Sequence, residues 1–210
     1  MIVIDKPFME GVLKELAKKR PIFHSEADFQ HSLAVELREK FKDNEDYGIR
    51  LELPQNIGES YGHVDIVIIK NAVPKVFIEL KYKTEKCTIQ HECEWFKLKK
   101  ANAPDSGCYQ FVKDIARIEE LTKSNQCEGF AIFLTNSMSY LKNGRGTQYE
   151  NFSFFKNELC SGRLHGIIKT RKGADPNKYV DIKGNYKFNW KEYSQIPNES
   201  FKYLLIYISN

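Results

Sequence analysis

Apolar residues recur at helical spacing in three stretches of the chain. Between Lys6 and Lys19, Phe8, Val12, Leu13, Leu16 and Ala17 share one side of a helix, and Pro21 closes the pattern. A second helix is expected from Ser25, a side chain suited to capping a first turn, to about Phe41. Phe29, Leu33, Leu37 and Phe41 form its apolar stripe. A third runs from Cys108 to Thr122, with Phe111, Val112, Ile115, Ile118 and Leu121 on its buried side. Elsewhere the pattern is that of strands. Tyr47 to Leu53 alternates and stops at Pro54, and Gln55 to Tyr61 reads as a loop. Val64 to Ile69 and Lys75 to Tyr82, rich in β-branched and aromatic residues, read as a hairpin around Asn71 and Ala72. Gly129 to Thr135 is apolar throughout, as in a strand buried on both faces, and Phe201 to Ser209 supplies a last strand. The polar segment Thr84 to Gly107 is expected to hold a helix over Ile89 to Lys100, and a small hairpin is expected around Gly166 to Thr170.

The hairpin carries the chemistry. In an antiparallel pair, facing positions have a constant sum, and a turn near Ala72 sets Asp65 opposite or nearly opposite Glu79. Glu79 and Lys81 are two apart in a strand and leave the same face. Facing carboxylates repel unless one takes a proton or a cation lies between them. A divalent ion with oxygen ligands answers that need, and Mg²⁺ is commonly held by one or two carboxylates with water and phosphate completing its shell. Lys81 beside it would stabilise or deprotonate an attacking water.

Asp65 followed by Glu79-Leu80-Lys81 on the next strand resembles the core of the PD-(D/E)xK nuclease superfamily. Val64 stands where the motif has proline, which is not a metal ligand. The expected order of elements, helix, strand, strand, strand, helix, strand, is also that of the restriction-endonuclease-like fold: an α/β fold, αβββαβ, with a mixed central sheet flanked by helices. Further stretches resemble uncharacterised bacterial members: Ala101 to Leu121, Phe133 to Asn136 and Trp190 to Ser194. The resemblance implies a Mg²⁺-dependent nuclease, with Mn²⁺ able to substitute. Its partner would be nucleic acid, DNA in preference to RNA, cut as an endonuclease more readily than as an exonuclease. Asp65, Glu79 and the backbone carbonyl of Leu80 would hold the metal, and Lys81 would position or activate water. Glu26 would assist through a water or a second metal, although a favourable charge at a helix start explains it equally well. Gln110 would orient Lys81 or the phosphate. Asp114 and Arg117 read most simply as an ion pair with each other along the same helix. A homodimer is the assembly such enzymes often adopt. The alternative on the same fold is an inactive module that binds nucleic acid or assembles with a partner.

Composition narrows the frame without adding to the chemistry. The 210 residues suffice for one domain, 1–210, with a basic elaboration over about 136–183 that includes Lys142, Arg145, Lys169, Arg171 and Lys172. Net charge is +4, which permits nucleic-acid binding without requiring it. Lys97, Lys99 and Lys100 form either a solvated face or a phosphate-contacting arm. No apolar run reaches membrane-span length and the N-terminus lacks a signal-peptide layout, so a cytoplasmic protein without a membrane partner is expected. Cys87, Cys93, Cys108, Cys127 and Cys160, odd in number and irregular in spacing, read as reduced thiols. A zinc site from Cys87, His91, Cys93 and Cys108 would lack a CxxC pair.

Overall fold

The computed structural model describes residues 2–57, 60–101, 103–141, 149–154, 164–171 and 178–209; Lys142, Arg145, Lys172 and Cys160 lie outside them. Two helices come first, α1 (Lys6–Lys19) and α2 (Glu26–Lys40), followed by β1 (Tyr47–Ile57), β2 (Ser60–Lys70) and β3 (Val73–Lys83). A short pair, β4 (Cys87–His91) and β5 (Glu94–Leu98), precedes α3 (Pro104–Asn125) and β6 (Glu128–Thr135). The chain ends with β7 (Leu164–Lys169), β8 (Tyr179–Tyr186), β9 (Lys191–Ile196) and β10 (Glu199–Ile208). The fold is mixed α/β.

Six strands form the main sheet in the order β1-β2-β3-β6-β10-β9. Among the described residues only β3 and β6 pair in parallel, and α3 supplies the crossover that a parallel pair needs. The two faces of the sheet are covered differently. Leu13 of α1 and Phe29, Leu33 and Leu37 of α2 bury Ile66, Ile78, Leu80 and Phe130 on one side. Phe111, Ile115 and Ile118 of α3 bury Val67, Phe77, Ala131 and Phe133 on the other. The strands β3 and β6 are therefore apolar on both faces, and a charge on β3 is a charge in the core.

The central hairpin turns at Asn71 and Ala72, both with positive φ, between Lys70 and Val73. Left alone, that two-residue turn would offset the register by one. A bulge between Ile68 and Ile69 corrects it, and the ladder continues as Ile68↔Val76, Val67↔Phe77 and Ile66↔Ile78. The ladder ends at Ile66↔Ile78, one step short of Asp65 and Glu79.

Some expectations are corrected. β1 does not end at Pro54 but continues to Ile57 with Pro54 opposite His63, because β1 is a sheet edge, where a residue without N–H is tolerated. Ile89 to Lys100 is not helical. Ile89 and Phe96 are spaced as on a helix, yet Glu92 at φ 53 reverses the chain and pairs Ile89 with Phe96 across β4 and β5. The hairpin expected around Gly166 to Thr170 is present: β7 pairs antiparallel with the next strand, β8.

Gly129, the second residue of β6, lies directly under α3. A Cβ there would overlap the side-chain methyls of Ile118 and Thr122, both buried on α3. Gly129→Ala is expected to cost about 1–3 kcal/mol by overpacking, read as a lower denaturant midpoint at unchanged m-value. A midpoint equal to that of the unaltered protein would show that α3 can move away from β6.

Candidate active site

The sheet breaks its own ladder at Asp65. The side chain takes over from the backbone there: Leu80 N–H donates to Asp65 Oδ2 at 2.6 Å. The Asp65 carbonyl is taken instead by Gln30 of α2, whose Nε2 donates to it at 2.7 Å and to Glu52 Oε1 at 2.6 Å. Glu52 sits in β1 at φ 49, between the pairs Leu51↔Ile66 and Leu53↔Val64, and so falls opposite Asp65. Its left-handed backbone is disfavoured for a residue with a Cβ and marks a position held by its surroundings.

Glu79 is 1% exposed on the α3 face of β3, and the Arg117 guanidinium of α3 pairs with it. Two residues on, Lys81 Nζ lies 2.8 Å from Asp114 Oδ2, also of α3, and donates to the Leu80 carbonyl at 3.2 Å. Glu26, in the first turn of α2, accepts from Tyr82 N–H at 2.7 Å, with Lys83 Nζ at 3.4 Å from the same oxygen. Glu26, Asp65, Glu79 and Lys81 are thus supplied by three elements, α2, β2 and β3. Gln110 is the exception. It lies one turn before Asp114, exposed on the wall of a cleft of about 930 Å³ that Asp114, Arg117 and Tyr186 also line, and it has no hydrogen bond to Lys81.

Asp114 and Arg117 correct the sequence reading. They do not pair with each other but reach across to β3, one to Lys81 and one to Glu79. The signal was present, since Asp114 follows Phe111 by three residues and precedes Ile118 by four, which puts an acid on the apolar side of the helix. Glu52 was missed for another reason: its place opposite Asp65 depends on the register of β1 against β2.

The electrostatics follow from burial. Burial, reinforced by Asp65 and Asp114, pushes the Glu79 carboxyl up to about 9 against the pull of Arg117. Burial also raises Asp65, which the Leu80 N–H only partly offsets, and raises Asp114 against Lys81 and Arg117. For Lys81, burial acts to lower the amine, but Asp114, Glu26 and Asp65 outweigh it and the net direction is upward. Lys81 is consequently an ammonium at neutral pH, suited to stabilising negative charge and unsuited to taking a proton from water.

A carboxyl whose folded value lies above its unfolded one binds an extra proton in the folded state across the interval between them. For Glu79 that interval runs from 4.5 to about 9, so stability falls as pH rises through it, by at most about 1.4 kcal/mol per pH unit. In EDTA the melting temperature is expected to decline from pH 6 to pH 9 and to decline less in Glu79→Gln. Parallel profiles for the two proteins would mean that Glu79 is ionised in both states.

The cysteine set does not assemble. Cys87 packs on the α1–α2 side of the sheet, Cys108 is buried on the α3 side, and Cys93 is exposed at the β4–β5 turn; these and Cys127 are unbridged. Among the described residues no helix is long and apolar enough to cross a membrane. Comparison with protein-family models, with curated proteins and with solved structures finds no match for the chain.

Proposed function

We propose that this chain is a metal-dependent nuclease on a PD-(D/E)xK core, hydrolysing phosphodiester bonds in nucleic acid, DNA in the first instance. The observation that carries the reading is a charge imbalance at the end of the β2–β3 hairpin. Five carboxylates, Glu26, Glu52, Asp65, Glu79 and Asp114, meet three cations, Lys81, Lys83 and Arg117, and burial raises three of the five carboxyls. Hard oxygen donors short of positive charge fit Mg²⁺ or Mn²⁺. Asp65, Glu79 and the Leu80 carbonyl would hold the ion, with Glu26 at its margin. The ion would supply a Lewis acid at the phosphate and a more acidic water. Among the described residues no three His, Cys, Asp or Glu side chains stand gathered as a ligand set, and a cation would compete with Arg117 for Glu79.

The chain's own groups then divide the work. Lys81, anchored by Asp114, offers a fixed positive charge to the developing phosphorane oxygens. Gln30 fixes the Asp65 backbone, and the Leu80 N–H fixes its carboxylate. Gln110, exposed on the cleft wall, can meet a phosphate from the solvent side.

A second reading has an observation of its own. Glu79 with Arg117 and Lys81 with Asp114 form two ion pairs that need no metal, as an inactive binding module would require. A panel of labelled duplex, branched and single-stranded DNA and RNA, with Mg²⁺ or Mn²⁺ omitted and restored, separates the two. Metal-dependent cutting is expected, and binding with no cutting on any substrate would leave the module.

A further inference from the structure

The nuclease reading leaves the β4–β5 hairpin without a role. Its two faces differ sharply in chemistry. Ile89, Phe96 and Leu98 point inward and join the core beside α1 and α2. The opposite parity carries Thr88, Gln90, Trp95 and Lys97, paired across the ladder as Gln90↔Trp95 and Thr88↔Lys97, with exposed Lys86 and Lys99 at its base. No carboxylate belongs to that outer set. Two of the hairpin's acids are engaged elsewhere, Glu94 with His24 Nε2 at 2.8 Å and Glu85 with Lys100 at 3.4 Å, and Glu92 is in the turn. Trp95, 58% exposed, is among the largest apolar side chains left in solvent.

The hairpin is fixed in place beside the candidate site. It begins four residues after β3 ends, and Thr84 Oγ1 donates to the Lys99 carbonyl at 2.7 Å. The His24 ring stacks on Phe96 with centroids 4.4 Å apart, two residues before Glu26. An exposed indole among lysines, on a ribbon tied to the end of β3 and to His24 before α2, matches the chemistry of unpaired nucleic acid, whose bases stack on aromatic rings while the phosphates meet cations.

We infer that the outer face of β4–β5 is a single-strand binding wing, with Trp95 stacking an unpaired base and Lys97, Lys86 and Lys99 contacting the adjoining phosphates. The inference rests on the nuclease reading for its placement but not for its test. Binding of fluorescein-labelled oligo(dT), and of a duplex of equal length, is measured by anisotropy in EDTA for the unaltered protein, Trp95→Ala, Trp95→Phe and Lys97→Ala. Trp95→Ala is expected to weaken single-strand binding about 5- to 150-fold, the range of one lost base stack, with duplex binding little changed. Trp95→Phe restores most of it. Lys97→Ala lowers the slope of log K against log salt by about 0.7. Equal single-strand affinity in Trp95→Ala overturns the wing, as does an equal loss on single strand and duplex. If the wing fails while Mg²⁺-dependent cutting persists, the nuclease reading stands alone; if Trp95 binds single strands and no substrate is cut, the wing stands without it. Trp95 is exposed, so its variants should melt like the unaltered protein.

Discussion

Arg117→Ala is expected to cost about 3 kcal/mol at pH 10, above the value of about 9 at which the Glu79 carboxyl ionises beside Arg117; this is the lower end of the range for breaking a buried ion pair, because a quarter of the Arg117 side chain is solvent-exposed while Glu79 is buried. In a chain of this length that lowers the melting temperature by about 6–12 °C. The loss does not come from the pair's own strength. Removing both charges of a buried pair is often close to neutral, whereas removing one leaves the other without compensation. Glu79 has an escape, since it can take up a proton and become neutral. The penalty should therefore shrink as pH falls from 10 toward 7, through the value of about 9 at which Glu79 takes up its proton, and adding Glu79→Gln to Arg117→Ala should recover much of it at pH 10. This cycle separates charge from packing: a deficit independent of pH and unrescued by Glu79→Gln would mean that Arg117 contributes through its aliphatic stem alone.

What the sequence revealed of this region depended on the range of the interaction. Helical stripes and apolar runs are local signals, and α1, α2, β6 and β10 follow them closely, while α3 extends beyond its expected bounds at both ends, from Pro104 to Asn125. The placement of Asp65 and Glu79 on one hairpin was legible because one short turn sets it, and a bulge between Ile68 and Ile69 restores the register up to Ile66↔Ile78, one step short of the two acids. Glu26 was legible because a helix start is marked by its cap, Ser25, whose Oγ accepts from Asp28 N–H at 3.1 Å. Partners that cross between elements were not. Arg117 meets Glu79 only once α3 has packed on β3, and an intrahelical spacing of three residues suggested the wrong partner for both Asp114 and Arg117. The β4–β5 hairpin failed for a related reason: a seven-residue spacing of Ile89 and Phe96 fits a helix as well as it fits two strands folded back on each other.

The remaining large effect concerns Lys81. Its ammonium is held 2.8 Å from Asp114 and 3.2 Å from the Leu80 carbonyl, with both side chains mostly buried, so its charge is positioned before any substrate arrives. A preorganised donor aimed at developing negative charge contributes about 10²–10³-fold in rate, and Lys81→Ala is expected to slow metal-dependent cutting by that factor with binding retained. That variant alone is ambiguous, because it strands Asp114 as a buried acid and lowers stability as well as rate. Lys81→Met combined with Asp114→Asn removes both charges, fills the space and keeps the fold. It should melt near the unaltered protein and still cut about 10²–10³-fold more slowly. Asp114→Asn by itself leaves the amine in place but loosens it, and also removes the charge that raises its titration. Its rate should fall less, and the alkaline limb of its pH–rate profile should move to lower pH. A double variant that cuts at the full rate would show Lys81 to be a structural partner of Asp114 with no part in the reaction.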